Sequence, residues 1–179
     1  LLAEGEKEIA YLETVLYEVE TASGEAALNE IRAELKSQGY LKYYKQRDRK
    51  QKPADFLRYT SSDGFEILVG RNNLQNDKLT LKDADYRDLW FHVQKLHGSH
   101  VILCTNGGEP GDQDITEAAG LAAYYSQAKD SANVPVDCTQ VKYVKKPAGA
   151  RPGMVICTTY GTVKVTPAED LVKRLQAGK

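Results

Sequence analysis

Apolar positions recur along this chain at two different periods, and the change falls near residue 53. Over residues 1–20, Leu2, Ile9, Leu12, Leu16 and Val19 follow a heptad, with only Gly5 off pattern and Glu at outer positions. That spacing predicts a helix with a narrow apolar seam. The seam is too thin for ordinary core packing, so the expectation is one arm of a coiled coil whose partner arm lies before residue 1. A helix packed on its own domain is the plainer alternative. Ser23 can cap a second helix whose inward positions are Leu28, Ile31 and Leu35; Gly39 suits its C′ position and Lys36 its negative end.

From Asp55 the period becomes two. Phe56–Thr60 and Phe65–Val69 flank Ser61-Ser62-Asp63-Gly64, which predicts a β-hairpin. Leu89–Val93 and Val101–Leu103 flank a second polar segment in which Gly98 is expected to supply the freedom of the bend. Alternation puts Leu89, Phe91 and Val93 on one face, with Trp90 and His92 on the other. A turn centred near Leu96 would then make His92 and His100 cross-strand neighbours.

Between the two hairpins lies an amide-rich loop, Gly70-Arg71-Asn72-Asn73-Leu74-Gln75-Asn76-Asp77, and a short helical connection is expected from Leu79 to Asp85. Ile115–Lys129 reads as an Ala-rich helix with Asp114 as its N-cap and a small-residue face suited to lying on a sheet. Strands at 139–144, 154–159 and 162–165 and a terminal helical turn at 169–175 complete the pattern. The fold class is therefore α+β, a mostly antiparallel β-sheet with packed helices, preceded by an N-terminal helical coiled-coil arm. Residues 1–52 form the arm and a basic linker; residues 53–179 form the α+β domain.

Composition adds an anionic partner to this picture. The chain has 179 residues and a net charge of −1, but its charge is segregated. Residues 1–34 hold nine Glu against Lys7 and Arg32, whereas residues 42–52 hold six basic residues against Asp48 alone, interleaved with Tyr43 and Tyr44. Between Cys138 and Ala168 there is no acid, only Lys142, Lys145, Lys146, Arg151 and Lys164. Two basic tracts on a neutral chain point to an anionic partner, and the tyrosines interleaved with the first make it a candidate nucleic-acid contact. Solvated linkers are the bland alternative. The chain begins Leu-Leu-Ala-Glu, so it is expected to be a piece of a longer protein. Cys104, Cys138 and Cys157 lack motif spacing and are expected as reduced thiols in a cytoplasmic protein, with no membrane span and no cofactor.

The densest chemistry lies at 88–103, which holds the only Trp and all three His. His92, His97, His100 and Cys104 match no standard zinc spacing, so no metal is assigned. A His general base near Asp88 finds only Ser99 as a nucleophile, which leaves an RNA hydrolase as a minor alternative and no catalytic residue assigned. No P-loop, dinucleotide fingerprint or nucleophile elbow occurs. An aromatic and imidazole surface for RNA is what remains.

Four blocks resemble the NFACT-R (RNA-binding) domain of the NFACT family, the family of RqcH and of FbpA-like fibronectin-binding protein A homologues. They are Val69-Gly70-Arg71-Asn72-Asn73 with Asn76-Asp77 and Leu79-Thr80; Asp88-Leu89-Trp90-Phe91-His92 with Gly98-Ser99-His100-Val101; Glu117-Ala118-Ala119 through Tyr124-Tyr125-Ser126; and Lys145-Lys146-Pro147 with Gly149 and Pro152-Gly153. Residues 8–41 are similar to the descending arm of the family's middle coiled coil. His97 stands where the family usually has Pro, and Cys138 where a Tyr is common. The resemblance implies an RNA-binding module of a ribosome-associated quality-control factor, engaging tRNA and the rRNA of obstructed large subunits and supporting alanine tailing of stalled chains. In that view Arg71, Asn72, Asn73, Asn76, Trp90, His92, Ser99, His100, Lys145, Lys146 and Arg151 form the RNA surface. Self-association through the orphaned arm is a further expectation, and a fibronectin-binding interaction domain is the alternative.

Overall fold

The computed structural model describes residues 1–42 and 53–177, in two compact units, Leu1–Asp55 and Phe56–Lys179. The basic tract at 43–52, with Tyr43 and Tyr44, lies outside the described residues.

The first unit is a pair of helices, α1 (Leu2–Thr21) and α2 (Gly24–Ser37). Its buried side chains are Tyr11, Val15 and Glu18 from α1, with Ile31 and Glu34 from α2. Tyr11 donates its hydroxyl to Glu34 Oε1 at 2.8 Å, and its ring lies 6.2 Å from that of Tyr40. Tyr40 in turn donates to Glu8 Oε1 at 2.6 Å. The face that packs is thus not the heptad face: Leu2, Ile9, Leu12, Leu16 and Val19 are all exposed. At the end of α2, Gly39 takes φ +84 and the N–H groups of Gly39 and Tyr40 reach the carbonyls of Lys36 and Leu35. That is the Schellman closure expected of a C′ glycine.

The second unit is built on a six-stranded antiparallel sheet. Its strands are β1 (Leu57–Thr60), β2 (Glu66–Val69), β3 (Leu89–Val93), β4 (Val101–Cys104), β5 (Val134–Gln140) and β8 (Gly161–Val165). They lie in the order β1-β2-β4-β3-β5-β8, each antiparallel to its neighbours. Two residues from each of β6 (Val144–Lys145) and β7 (Ile156–Cys157) form a separate ribbon. The first hairpin closes as expected, with Gly64 at φ +90 donating to Ser61 O.

Both faces of the sheet are covered, which is why β4 is an unbroken apolar run rather than an alternating one. On one face, Ile67, Val69, Phe91, Val93, Val101 and Leu103 pack under α4 (Asp112–Tyr124) and α5 (Glu169–Ala177). Four alanines of α4, at 118, 119, 122 and 123, are fully buried, so the helix sits close on the strands. On the other face, Trp90 and Ile102 pack with Leu79, Val141 and Val144.

Several boundaries differ from expectation. The amide-rich loop contains a helix, α3 (Asn73–Lys78), which runs into a π turn at Leu79–Asp83. Asn72 caps it by accepting from Gln75 N at 2.9 Å, a local bond that turns a run of amides into a helix start. Asp114 is not an N-cap but lies in the first turn of α4, where its carboxylate accepts from Gly111 N at 2.8 Å. Val134–Asp137 belongs to β5, a start that Pro135 masks in the sequence. Pro135 lies one position beyond the last β3 partner and contributes its carbonyl to Gln94 N, so its missing N–H costs only the return bond at the end of that ladder. Gly98 does not supply the bend, since the residue with positive φ is Lys95, at 58°. Gly98 is there for space: a Cβ on it would come within 2.7 Å of Ser126 Cβ and 3.1 Å of Tyr125 O.

Candidate nucleic-acid interface

The β3–β4 register pairs Leu89 with Leu103, Trp90 with Ile102 and Phe91 with Val101. Continued by one position, it sets His92 against His100, whose rings lie 5.5 Å apart and nearly perpendicular. The Trp90 ring stacks near-parallel to His92 at 5.8 Å and meets His100 edge-on at 5.3 Å. Three rings thus form one cluster at the turn end of the hairpin.

Three sequence-distant segments converge on it. Thr80, from the π turn, bonds His100 Nδ1 at 2.9 Å. Asn76 of α3 accepts the His100 backbone N–H at 3.1 Å, and Gly70 N donates to His100 O at 3.0 Å. No side chain fits at Gly70, because a Cβ there would stand 2.1 Å from Asn76 Oδ1. The loop between β6 and β7 arrives last. Asp77 accepts from Lys146 Nζ at 2.5 Å and from Gly153 N at 2.9 Å, while Lys146 also donates to Arg151 O at 2.9 Å. From the other side, Ser99 donates its N–H to Tyr125 O at 2.9 Å, fastening the turn to the end of α4.

The electrostatics of the cluster are those of an interior. Burial lowers His92 to about 4. Burial, and then the proximity of His92, puts His100 well below its usual value. Both imidazoles are neutral at physiological pH and neither is a cation for phosphate. The Trp90 N–H is buried with no hydrogen-bond acceptor among the described residues.

Of the eleven expected surface residues, Arg71 and Lys145 are exposed, and His92, Ser99, Lys146 and Arg151 are half-buried. Asn72, Asn73, Asn76, Trp90 and His100 are buried, which corrects the expectation of a surface. Each is turned inward by a task the sequence does not display: capping α3, backing Gly153, holding the His100 N–H, or filling the core beneath the ribbon. Lys146 is likewise engaged by Asp77.

Asp88 has no part in this cluster. Its buried carboxylate sits at the far end of β3 and accepts the N–H groups of Thr105, Asn106 and Asp85 at 2.8–3.0 Å. Among the described residues no group of three or more His, Cys, Asp or Glu is placed to hold a metal ion. What does face solvent in the acid-free stretch is cationic and aromatic. Lys142, Lys145, Lys164 and Tyr160 are exposed, and Tyr143 and Arg151 are half-buried. Tyr143 and Tyr160 were missed by sequence reasoning, although their place in the acid-free stretch was the signal.

The second unit is thus a wholly antiparallel sheet with its glycine- and amide-bearing blocks locked around one hairpin end. The model of the NFACT protein RNA-binding domain matches residues 55–159, and the chain belongs to this family. It is similar to proteins called "Rqc2 homolog RqcH" from Bacillus subtilis (43% identical over 174 residues, 96% of this chain and 30% of that protein) and Streptococcus suis (43% over 182 residues, 98% and 32%). It thus spans about a third of their length. A solved structure of the C-terminal part of the fibronectin/fibrinogen-binding protein from Streptococcus suis superposes with a TM-score of 0.91 at 43% identity, covering 98% of this chain and 71% of that one.

Proposed function

We propose that this chain is the RNA-binding module of a ribosome-associated quality-control factor, contacting tRNA and large-subunit rRNA in the cytoplasm. In the whole protein it would help to engage obstructed large subunits and support C-terminal alanine tailing of the stalled chain. The observation that carries the reading is the acid-free stretch from Cys138 to Ala168, whose cations Lys142, Lys145 and Lys164 face solvent and whose β6–β7 loop is fixed by Asp77. Exposed cations that meet phosphates give salt-dependent, largely sequence-independent affinity. The buried signature residues support the interface from beneath. No residue is assigned a catalytic role. The open heptad face of α1 serves as one arm of a coiled coil.

Co-sedimentation of the intact parent protein with large ribosomal subunits carrying peptidyl-tRNA tests this reading. Lys142→Ala with Lys145→Ala is expected to shift the protein from pellet to supernatant. A second reading, fibronectin binding, draws on what the similar Streptococcus suis protein is called. Capture by immobilised fibronectin that survives nuclease and high salt, without binding to tRNA, would favour it.

A further inference from the structure

We infer that Tyr143 and Tyr160 form a stacking platform, so that the ribbon surface takes unpaired RNA in preference to duplex; this rests on the RNA-binding reading above. Both rings lie in the acid-free stretch, and neither belongs to either apolar core. Tyr160 is 53% exposed, so its ring is open to a ligand.

The backbone under both rings is braced before any ligand arrives. Tyr143 O accepts from Thr158 N at 3.0 Å and from Thr158 Oγ1 at 3.3 Å. Thr139 Oγ1 donates to Thr159 O at 2.5 Å, fixing the residue before Tyr160. The segment from Thr158 to Tyr160 is therefore tied to β5 and to Tyr143 at once. A ring on a fixed backbone has two side-chain torsions left to order, which suits stacking.

The cations stand where phosphates of a stacked strand would run. Lys142 Nζ lies 5.0 Å over the Tyr143 ring, a partner that a base can replace while the ammonium moves to a phosphate. Lys145 pairs across the ribbon with Ile156, which is itself 54% exposed. Two acids of the same unit, Asp77 and Asp137, are already engaged. Asp77 holds Lys146, and half-buried Asp137 accepts from Gln94 Nε2 at 3.1 Å and Thr162 Oγ1 at 3.4 Å. Duplex RNA buries its base faces and offers only phosphates and sugars to such a surface, whereas an unpaired strand offers both.

The test is fluorescence anisotropy on the full chain. The probes are a labelled unstructured oligoribonucleotide and the same strand annealed to its complement. The expected result is tighter binding of the single strand. Tyr143→Ala with Tyr160→Ala should weaken that binding by about 5- to 100-fold while leaving duplex affinity and salt dependence alone. Tyr160→Phe should keep the single-strand preference, because the ring and not the hydroxyl stacks. Equal wild-type affinity for both probes, or a double Ala variant that binds the single strand like wild type, overturns the platform. Binding of neither probe by the wild-type chain overturns the RNA-binding reading itself. Unchanged thermal midpoints in the Tyr variants separate lost stacking from lost fold.

Discussion

The carboxylate of Asp77 holds Lys146 through one oxygen and the Gly153 N–H through the other, so one α3 residue fastens both ends of the β6–β7 loop. The pair is partly buried, with side-chain exposures of 27% for Lys146 and 21% for Asp77. Asp77→Ala is expected to cost about 1–3 kcal/mol, measured by urea unfolding, and to expose the loop to proteolysis. Lys146→Ala should likewise lower stability, so a loss of RNA binding in that variant would not report a phosphate contact.

Gly98→Ala should destabilise by about 1–3 kcal/mol, because the atoms its Cβ meets at Ser126 and Tyr125 include backbone that cannot rotate away. Gly5 provides the contrast, with nothing near its Cβ position. Gly5→Ala, in a helix, is expected to be neutral or slightly stabilising. Thermal midpoints of the two variants decide the matter.

Acid should loosen the histidine cluster before it affects the carboxylates. His92 and His100 titrate lower in the folded chain than in the unfolded one, so the unfolded state binds more protons on mild acidification. Their contribution is complete above about pH 6.5 and declines as pH falls towards about 4. Asp114 and Glu117 are held low and contribute their loss only below the ordinary carboxylate range. Urea midpoints are therefore expected to fall between about pH 6.5 and about pH 4.5, with a shallower fall in His92→Gln. An identical fall in that variant would assign the effect elsewhere.

The Trp90 N–H, without an acceptor among the described residues, gives a further contrast. Trp90→Phe removes volume and a donor with no acceptor among the described residues, and should cost about 1–2 kcal/mol. Trp90→Ala should cost about 3–5 kcal/mol. Equal losses would show that the N–H holds a structural partner such as an ordered water.

The β-period, the hairpins and the His92–His100 register were legible because side-chain alternation is a local property and the turn centre sets the pairing. Burial of the amides was not. Asn72, Asn73 and Asn76 read as surface recognition groups, since nothing local shows that Gly153 and His100 arrive to cover them. Gly98 misled for a similar reason: a tight approach of two distant segments leaves the same glycine as a bend. On α1 the heptad was visible, but the face that packs against α2 is led by Tyr11 and stabilised by a polar contact with Glu34, which hydrophobic periodicity does not weigh. The acid-free stretch was legible as charge, while the split between engaged Lys146 and exposed Lys142 and Lys145 needed the fold.

In the reading proposed above, Lys145 of the ribbon and Lys142 just before it carry the RNA contact. Titrating tRNA against the chain over a salt series tests it most directly. Lys142→Ala with Lys145→Ala is expected to weaken binding and to flatten the slope of log affinity against log salt by about 1–2 units. A double variant with the wild-type slope, at unchanged thermal stability, would contradict the account.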